Sequence, residues 1–407
     1  MKILVPNFIL LPTKVVSNLA IAFDKKIEKI APLSELQTLY PNAKVTQLPK
    51  NSLLMPGLIN AHVHLEFSAN ETELQYGSFL PWLYSVIQKR EDLINGCQSQ
   101  CIENAIDMML QNGITSFGAI SSHAADLEAC ANAPQNVVFF NELIGSQAAM
   151  ADALFGDFLA RLDASKEVKK ENFYPAVAIH SPYSVHPILI KKALKIVKNE
   201  NLKLTAHLLE SPAEKEWLEN NSGEFAEFFE KFLQQKNAVT SIDKFLEHFN
   251  STQTLFTHVI QTTQKELEIL KQNNHTVIHC PISNRLLGNG KLNIKELQKQ
   301  NIRWIIASDG LSSNYTLNLF EEMKIALFMQ EDLPLNQFAK QLLNSATKDA
   351  ADALGLNSGE IAQTKDADML VLQLNDEPTQ DIALHLILQN YPITQVYVQG
   401  ELKKDTL

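Results

Sequence analysis

The stretch SLLMPGLINAHVHL, residues 52–65, reads as a buried strand that ends in two histidines. An apolar run passes the turn-forming Pro56 and Gly57 and reaches His62 and His64, which flank a single valine. Because residues i and i+2 of a strand point to the same side, both imidazoles can reach one point. A shared metal ion would explain this pair, although two exposed histidines without a partner would give the same pattern.

Short apolar runs recur along the chain, with helical patterns between them. CIENAIDMMLQNG, residues 101–113, has apolar residues at helical spacing and ends at Gly113, a common helix stop. Strands that alternate with helices indicate βα units and a parallel sheet. With the opening stretch, eight such strands predict an α/β fold, a (β/α)8 TIM-like barrel. The other seven are ITSFGAIS, VVFFNELIG, YPAVAIHSPYS, LKLTAHLLES, QTLFTHVIQ, HTVIHCPISN and IRWIIASDG.

Both ends of the chain differ from this pattern and show short alternating runs typical of strands, as in DADMLVLQLN and ITQVYVQGELKKD. They predict one small β-sandwich domain built from both termini. We expect a composite β-domain of residues 1–55 and 352–407 and a metal-dependent catalytic barrel of residues 56–351. The segment of residues 220–251 is longer than a single barrel helix needs. Their amphipathic segments favour helices that pack on the outer ring, with helices that cover the barrel mouth as the alternative.

The composition is that of an ordinary globular protein, with 407 residues of which 45% are apolar and 20% charged. A formal charge of −11 argues against partners such as nucleic acid or an anionic membrane, which select basic surfaces. No apolar run approaches the roughly 18–20 residues that a membrane-spanning helix needs. We therefore expect a small-molecule partner, with no nucleic acid and no membrane.

The cysteines and the N-terminus bear on the compartment. Four cysteines in a chain of this length do not make a disulfide framework. Cys97 and Cys101 lie four residues apart in a predicted helix, a spacing compatible with a metal pair, but a reduced structural role is favoured. The first apolar run is broken by Pro6 and Pro12 and lacks a small-residue cleavage site, which favours strands over a signal peptide. We expect a cytoplasmic protein.

Histidine, glutamate or aspartate stands at the end of five predicted strands. A barrel gathers the C-terminal ends of its strands at one rim, so these side chains should converge. A single histidine there is usually a hydrogen-bonded core or loop residue, but buried imidazoles and carboxylates without partners cost on the order of several kcal/mol. Zn²⁺ suits such a ligand set, with Fe²⁺ or Mn²⁺ as alternatives. The residues are His62, His64, His180, His207, Glu210, His258 and Asp309.

The order His-x-His, His-x-x-Glu, His and Ser-Asp-Gly, with the flanks PGLINAHVHLEFS, HCPISNRLL and ASDGLSSNYTLNLFEEM, resembles the amidohydrolase superfamily over nearly the whole chain. It is most similar to the branch of adenosine-type, S-adenosylhomocysteine and guanine deaminases and triazine chlorohydrolases. The resemblance implies hydrolytic deamination of an adenine-type nucleoside by a metal enzyme, and a homodimer. Guanine-type deamination or chlorohydrolysis on the same scaffold stays open, as does a catalytically inactive metal-binding barrel.

By position, the resemblance makes His62, His64, His207 and Asp309 the ligands of one divalent metal. Relatives with two metals commonly bridge them with a carboxylated lysine at the end of strand four. The corresponding segment here, AVAIHSPYS, has His180 and no lysine, which favours a single metal.

The same resemblance assigns the catalytic groups. Glu210, three residues beyond a ligand, would carry a proton to a substrate ring nitrogen, as general acid catalysis requires. His258 would polarise the bound water, and Asp309 would hold or accept its proton. His180 would face the substrate.

Substrate contacts are less well determined by the sequence. Glu66 and Trp82 could grip a heterocycle by hydrogen bonding and stacking, but a solvated loop residue and a core indole are equally good interpretations. Arg285 could pair with a substrate carboxylate, although a solvated loop position is slightly favoured. One departure from the family pattern is Thr364, which replaces a usual glycine before Lys-x-Ala-Asp and concerns a turn of the β-domain.

Overall fold

The N-terminal part of the chain forms short strands and one helix in the structure, a computed structural model that describes residues 1–70, 74–95 and 98–407. The helix is α1, Leu33–Leu39. The strands are β1 Lys2–Val5, β2 Phe8–Leu10, β3 Val15–Ser17, β4 Ala20–Phe23, β5 Ile27–Ala31, β6 Lys44–Gln47 and β7 Ser52–Pro56.

An eight-stranded parallel sheet follows, in which each strand pairs with the next one along the chain. Its strands are apolar along most of their length, as expected for a sheet covered on both faces. Together with the helices between them they form the predicted barrel. The strands are β8 Leu58–Val63, β9 Ile114–Ser121, β10 Asn136–Leu143, β11 Phe173–Ile179, β12 Leu204–Leu208, β13 Leu255–His258, β14 Thr276–His279 and β15 Arg303–Ile306.

Three C-terminal strands, β16 Met369–Gln373, β17 Ile393–Val398 and β18 Glu401–Asp405, join the N-terminal ones. One sheet has the order β18-β17-β16-β7-β2-β3 and therefore combines both ends of the chain, whereas the second has the order β5-β4-β1-β6. The predicted β-structure from both termini is thus confirmed. The domain bounds themselves stay a prediction, and the bound at residues 351 and 352 falls inside a helix of the barrel described below.

The sequence suggested a single strand over residues 52–65, but the structure has two strands there. β7 belongs to the terminal sheet, where it pairs with β16, and β8 opens the barrel. The break lies at Gly57, where an added Cβ would come within 2.1 Å of the Thr115 hydroxyl oxygen. A side chain at position 57 would clash with Thr115, so glycine suits the point where the chain passes from one sheet to the other.

Helices surround the barrel, and α6, Pro187–Glu200, buries one apolar face that includes Leu189, Ala193 and Val197. A short 3₁₀ helix spans Ala148–Met150. The other helices are α2 Phe79–Asn95, α3 Gln98–Gln111, α4 Leu127–Asn132, α5 Ala151–Lys166, α6 Pro187–Glu200, α7 Pro212–Asn220, α8 Glu224–Leu233, α9 Ile242–His248, α10 Gln264–Gln272, α11 Pro281–Leu286, α12 Ile294–Gln300, α13 Leu319–Met329, α14 Leu335–Ser345, α15 Lys348–Leu354 and α16 Ile382–Leu388.

The two ends of the barrel are closed differently. Helix α15 packs its Ala351 and Leu354 into the same core cluster as Ile59 and Leu255, and so plugs the end where the strands begin. At the other end, where the strands finish, the backbone N–H of Asp309 donates to the His62 carbonyl at 3.1 Å. This bond joins the last barrel strand to the first at the rim that carries the histidines.

The helices of the long segment between β12 and β13 occupy both predicted positions, one at the barrel mouth and one on the outer ring. In α8, Phe225 packs 4.7 Å from the ring of Tyr183, which follows His180 by three residues, so this helix borders the barrel mouth. Immediately after α9, Phe249 packs 5.2 Å from Phe256 of β13, on the outer ring.

Two sequence expectations concern compartment and membrane. Among the described residues, no helix is both long and apolar enough to cross a membrane. Cys101 is disulfide-bonded, which corrects the expectation of a reduced thiol at that position, and Cys97 lies outside the described residues. Cys130 and Cys280 are free and buried.

Candidate metal centre and active site

Three imidazoles meet at the C-terminal rim of the barrel. His62 and His64 come from the end of β8 and His207 from β12, and each offers a nitrogen within 4.8 Å of the other two. The Nε2 atoms of His64 and His207 lie 3.4 Å apart. The strand parity inferred for the His-x-His pair therefore gives the convergence that a shared ion requires.

Asp309 completes this group from the end of β15. Its Oδ1 lies 3.7 Å from Nε2 of His62 and 3.8 Å from Nε2 of His64. Its Oδ2 accepts hydrogen bonds from the hydroxyls of Ser283 and Ser313 at 2.7 and 2.9 Å. Oδ1 also accepts the Gly310 backbone N–H at 2.8 Å, so both oxygens are held by the protein and Oδ1 is the one that faces the imidazoles.

The donor set fits a divalent cation. His62 Nε2 is buried and has no hydrogen-bond partner among the described residues. Burial, aided by the neighbouring imidazoles, lowers the pKa of His62 and of His207 well below the ordinary value, which keeps them in the neutral form that binds metal. The Nδ1 of His207 donates to the His180 carbonyl at 2.8 Å, and this leaves its Nε2 free as a ligand atom.

Glu210 and His258 form a second pair beside the imidazoles. Oε2 of Glu210 lies 3.5 Å from Nε2 of His258, and Asn289 donates to the other carboxylate oxygen at 3.1 Å. Burial, with a smaller contribution from Asp309, raises the pKa of Glu210 well above its ordinary value. Nδ1 of His258 lies 2.9 Å from Oδ1 of Asn284, so it donates to that amide oxygen. The pair is arranged for proton transfer.

Local backbone geometry at the strand ends is unusual. His258, Val259 and Asp309 all have positive φ, at 73°, 57° and 59°, and Val259 is β-branched. Such a conformation is costly for these residues and persists where the surroundings over-determine it. Gly310 faces the His64 carbonyl so closely that an added Cβ would lie 2.7 Å from it. The backbone at the rim therefore adopts costly conformations that place the side chains of His258 and Asp309.

His180 stands beside this group at the end of β11. Its Nδ1 lies 2.5 Å from the Ser184 hydroxyl and 3.1 Å from that of Ser181, and its ring centroid is 5.2 Å from that of His207. Burial lowers its pKa, although the nearby Glu142 carboxylate opposes this. The serine hydroxyls fix one edge of the ring and leave the other edge available to a ligand.

The other three predicted substrate contacts, besides His180, occupy different settings. Both oxygens of Glu66 accept hydrogen bonds from the backbone N–H groups of Ser122, His123 and Ala125, at 2.8–3.2 Å. Trp82 is half-buried and donates its indole N–H to the Ser312 carbonyl at 2.8 Å. Arg285 lies exposed in the last turn of α11. Their contact with substrate stays a prediction.

Sequence reasoning missed Glu142, which lies at the end of β10 and is 1% exposed. It offers a carboxylate oxygen within 4.8 Å of nitrogens of His180 and His207. The signal was present, because Glu142 lies near the C-terminal end of the predicted strand VVFFNELIG, as His180 does in YPAVAIHSPYS. The sequence also did not identify Asn284, which orients His258 and lies in the segment after strand seven.

Comparisons with known proteins agree with this geometry. Residues 53–403 match the sequence profile of the amidohydrolase family. The chain belongs to the amidohydrolase family. Members of this family are metal-dependent, so its histidine cluster has the chemistry expected of an amidohydrolase. The resemblance inferred from the sequence motifs is confirmed.

Individual relatives narrow the comparison within the amidohydrolases. The chain is 49% identical over 403 residues to an aminodeoxyfutalosine deaminase of a Nitratiruptor species, covering 98% of this chain and 99% of that one. It is 35% identical over 394 residues to an adenosine deaminase of Helicobacter pylori, covering 95% of each. The crystal structure of Helicobacter pylori aminofutalosine deaminase in complex with methylthio-coformycin superposes with a TM-score of 0.93 at 32% identity, over 99% of this chain and 100% of that one.

Proposed function

We propose that this protein catalyses the hydrolytic deamination of aminodeoxyfutalosine to futalosine and ammonia, a step of menaquinone biosynthesis. The observation that carries the proposal is the convergence of three imidazoles and Asp309 on one point, with Glu210 beside them, in a chain 49% identical to a deaminase of that substrate. The stretches INAHVHLEFS, SFGAISSH and SNRLLGNG also resemble aminofutalosine deaminases.

His62, His64, His207 and Asp309 would hold one divalent metal, for which we favour Zn²⁺ over Fe²⁺ or Mn²⁺. When bound, such a metal makes water a nucleophile at neutral pH by lowering its pKa. The serine hydroxyls on Oδ2 of Asp309 and the Gly310 backbone N–H on Oδ1 fix the carboxylate with Oδ1 toward the imidazoles, where it can take a proton.

Glu210 would act as the acid. Because burial raises its pKa, the carboxyl holds a proton that it can give to a ring nitrogen next to the attacked carbon, C6 of the adenine ring. Donation there makes C6 more electrophilic, and a second transfer to the amino group lets ammonia leave. A non-ligand glutamate does the same work in zinc nucleobase deaminases.

His258 and His180 would orient the reactants. With its Nδ1 donating to Asn284, His258 directs Nε2 at the place between Glu210 and the metal ligands. His180 is fixed by two serine hydroxyls and would face the substrate. Tyr183 and α8 shield this side from solvent, since the ring of Tyr183 is packed against Phe225.

A panel of nucleosides tests the proposal. Metal-loaded protein is incubated with aminodeoxyfutalosine, adenosine, methylthioadenosine and S-adenosylhomocysteine, and ammonia release is followed. We expect the highest kcat/KM for aminodeoxyfutalosine. Absence of turnover with all four would contradict a deaminase, and a higher kcat/KM for another member would reassign the substrate.

Deamination of adenosine or methylthioadenosine is the second candidate. It is favoured by the 35% identity to a protein named adenosine deaminase and by the methylthio-coformycin bound to the Helicobacter pylori structure. Solved guanine deaminase and triazine chlorohydrolase structures share only the fold with this chain, at 16–20% identity. Guanine and a chlorotriazine are therefore added to the panel as substrates that we expect not to react. A catalytically inactive metal-binding barrel would have no use for a proton donor such as Glu210.

The protein's other expected properties follow from this proposal. The partner is a small-molecule nucleoside rather than nucleic acid or a membrane, in keeping with the charge of −11. The homodimer and the cytoplasmic location stay predictions from the sequence, and size-exclusion chromatography with light scattering checks the former.

A further inference from the structure

Glu142 is a buried carboxylate that the proposed reaction does not use. Its Oε2 accepts the Ser122 hydroxyl at 2.5 Å, whereas Oε1 is buried without a hydrogen-bond partner among the described residues. Arg161 does not serve this oxygen, because its guanidinium binds the Glu142 carbonyl and the Asp157 carboxylate instead. A buried carboxylate oxygen in this setting requires positive charge nearby.

The groups that face this oxygen are imidazoles of the active site. Oε1 lies 4.0 Å from Nδ1 of His207, and Glu142, His180 and His207 each offer an atom within 4.8 Å of the others. A second metal does not suit this cluster, since Nδ1 of His207 already donates to the His180 carbonyl. The carboxylate therefore stands behind a metal ligand rather than in a separate site.

A network connects this carboxylate to the strand that carries the other ligands. The residue that donates its hydroxyl to Glu142, Ser122, also donates its backbone N–H to Glu66 at 2.8 Å. Glu66 follows ligand His64 by two residues. Ser122 thus joins the ends of β8 and β10, and through Glu142 it reaches His207 of β12.

We infer that Glu142 is a positioning residue for the metal site, which it stabilises by placing a negative charge behind His207 in an orientation fixed by Ser122. A divalent cation with three neutral imidazoles and one carboxylate keeps a net positive charge, and a carboxylate behind a ligating histidine offsets it and makes the ligand more basic. The inference rests on the metal site of the proposed function but not on its substrate.

Metal affinity is the measurement that tests this role. Wild type and Glu142→Gln are stripped with a chelator, and their Zn²⁺ affinity is measured by competition with a chelating dye. We expect the variant to bind Zn²⁺ about 10-fold more weakly, the lower end of the cost of losing an outer-shell partner, because Glu142 acts through its charge at 4.0 Å and does not accept the Nδ1 proton of His207. The measurement needs no substrate, so a wrong substrate assignment leaves the result unaffected. If the wild-type protein itself does not bind Zn²⁺, the proposed metal site is contradicted, whatever the role of Glu142.

Asp126→Asn is the matched control. Asp126 is also a fully buried carboxylate, and it also accepts a serine hydroxyl at 2.5 Å, from Ser121, but its carboxylate lies against Glu66 and Arg161 rather than imidazoles. We expect its Zn²⁺ affinity to equal that of wild type, even if the apoprotein unfolds earlier. Equal losses of affinity in both variants would reduce Glu142 to a packing residue and overturn the inference.

Ser122 provides an independent test if Glu142→Gln does not fold. Ser122→Ala removes the hydroxyl from Glu142 while the carboxylate remains, and we expect a smaller loss of Zn²⁺ affinity in the same direction. Ser122→Thr retains a hydroxyl and should restore the affinity. Wild-type affinity in Ser122→Ala would contradict an orientation fixed by this serine.

Discussion

The two ends of the barrel differ in what fills their interiors. At the rim where the strands end, His62 Nε2 and Glu142 Oε1 have no hydrogen-bond partner among the described residues, and Val259 is held at positive φ. At the base, Asn136 donates to Asp368 at 2.7 Å, and the interior is closed by apolar side chains of α15. The rim thus gathers imidazole and carboxylate atoms without partners around one point. The interior at the base is filled by apolar side chains, and the atoms without partners there, such as Gln135 Oε1 and His275 Nε2, are not gathered in such a group among the described residues.

This difference separates function from stability within one sheet. Unfilled hydrogen-bonding capacity and strained backbone cost free energy, and they are retained where a ligand compensates for them. The base offers nothing to a ligand and contributes packing, as is usual for the N-terminal face of such barrels. Substitutions at the rim should therefore change rate or metal binding, and those at the base should change the free energy of unfolding.

The largest effect is expected at the rim, from Glu210→Gln. Glutamine can still accept the Asn289 N–H but cannot donate a proton to the substrate, so kcat should fall by about 10²-fold or more. Steady-state kinetics on metal-loaded protein, with metal content measured on the same samples, checks this.

Glu219→Gln is the control, because that side chain lies on α7 with 46% exposure and should leave kcat unchanged. Retention of full activity by Glu210→Gln would remove the proton shuttle from the mechanism. Loss of the metal would instead show that Glu210 supports the ligands.

A base substitution should show the reverse pattern. Leu354 of α15 is 3% exposed within the base cluster, so Leu354→Ala should lower the free energy of unfolding by about 3 kcal/mol through lost burial and a cavity. The kcat of the folded, metal-loaded variant should match wild type. Urea unfolding and kinetics on one preparation measure both quantities.

Leu335→Ala, at a 53% exposed position of α14, should change the free energy of unfolding by less than about 0.5 kcal/mol. A large fall in kcat for Leu354→Ala would mean that the two ends are coupled.

The sequence was sufficient for whatever depends on local pattern. The eight barrel strands are apolar runs, and the convergence of His62 with His64 follows from strand parity, whereas that with His207 follows from the barrel's shared rim. The terminal β-structure was equally visible as alternating runs. These features require no knowledge of which side chain contacts which.

What the sequence could not supply depends on contacts between distant segments. The split of residues 52–65 follows from the pairing of β7 with β16 and of β8 with β9. Glu66 is enclosed by backbone N–H groups 56 to 59 residues away. The sequence did not point to Glu142, because the role inferred for it depends on its position next to His207, which lies on another strand. Such partners are fixed only when the strands are assembled.

A pH test at the base separates the two ends further. Nδ1 of His275, just before β14, accepts the Thr254 N–H at 3.2 Å, and burial lowers the pKa of His275 to about 4. Because the folded pKa lies below the unfolded value of 6.5, the contribution to stability is complete above pH 6.5 and is lost as pH falls toward 4. At pH 5 the loss should be about 2 kcal/mol.

His275→Asn keeps an acceptor for the Thr254 N–H but does not titrate. The difference in free energy of unfolding between wild type and variant should therefore shift by about 2 kcal/mol between pH 7.5 and pH 5. Urea unfolding of both proteins at the two pH values measures it, and titrating rim residues cancel in the difference. A constant difference would show that His275 stays neutral in both states or charged in both.

The smallest effect concerns strain outside both ends, at Thr364 in the terminal β-structure. Its φ is 73°, in the left-handed region that favours glycine. Thr364→Gly removes strain but gives the unfolded chain more freedom, so a net stabilisation of about 0.5 kcal/mol is expected. Thr13→Gly, in an exposed turn without positive φ, should instead destabilise by a similar amount. If both substitutions destabilise by similar amounts, the left-handed conformation costs threonine nothing at position 364.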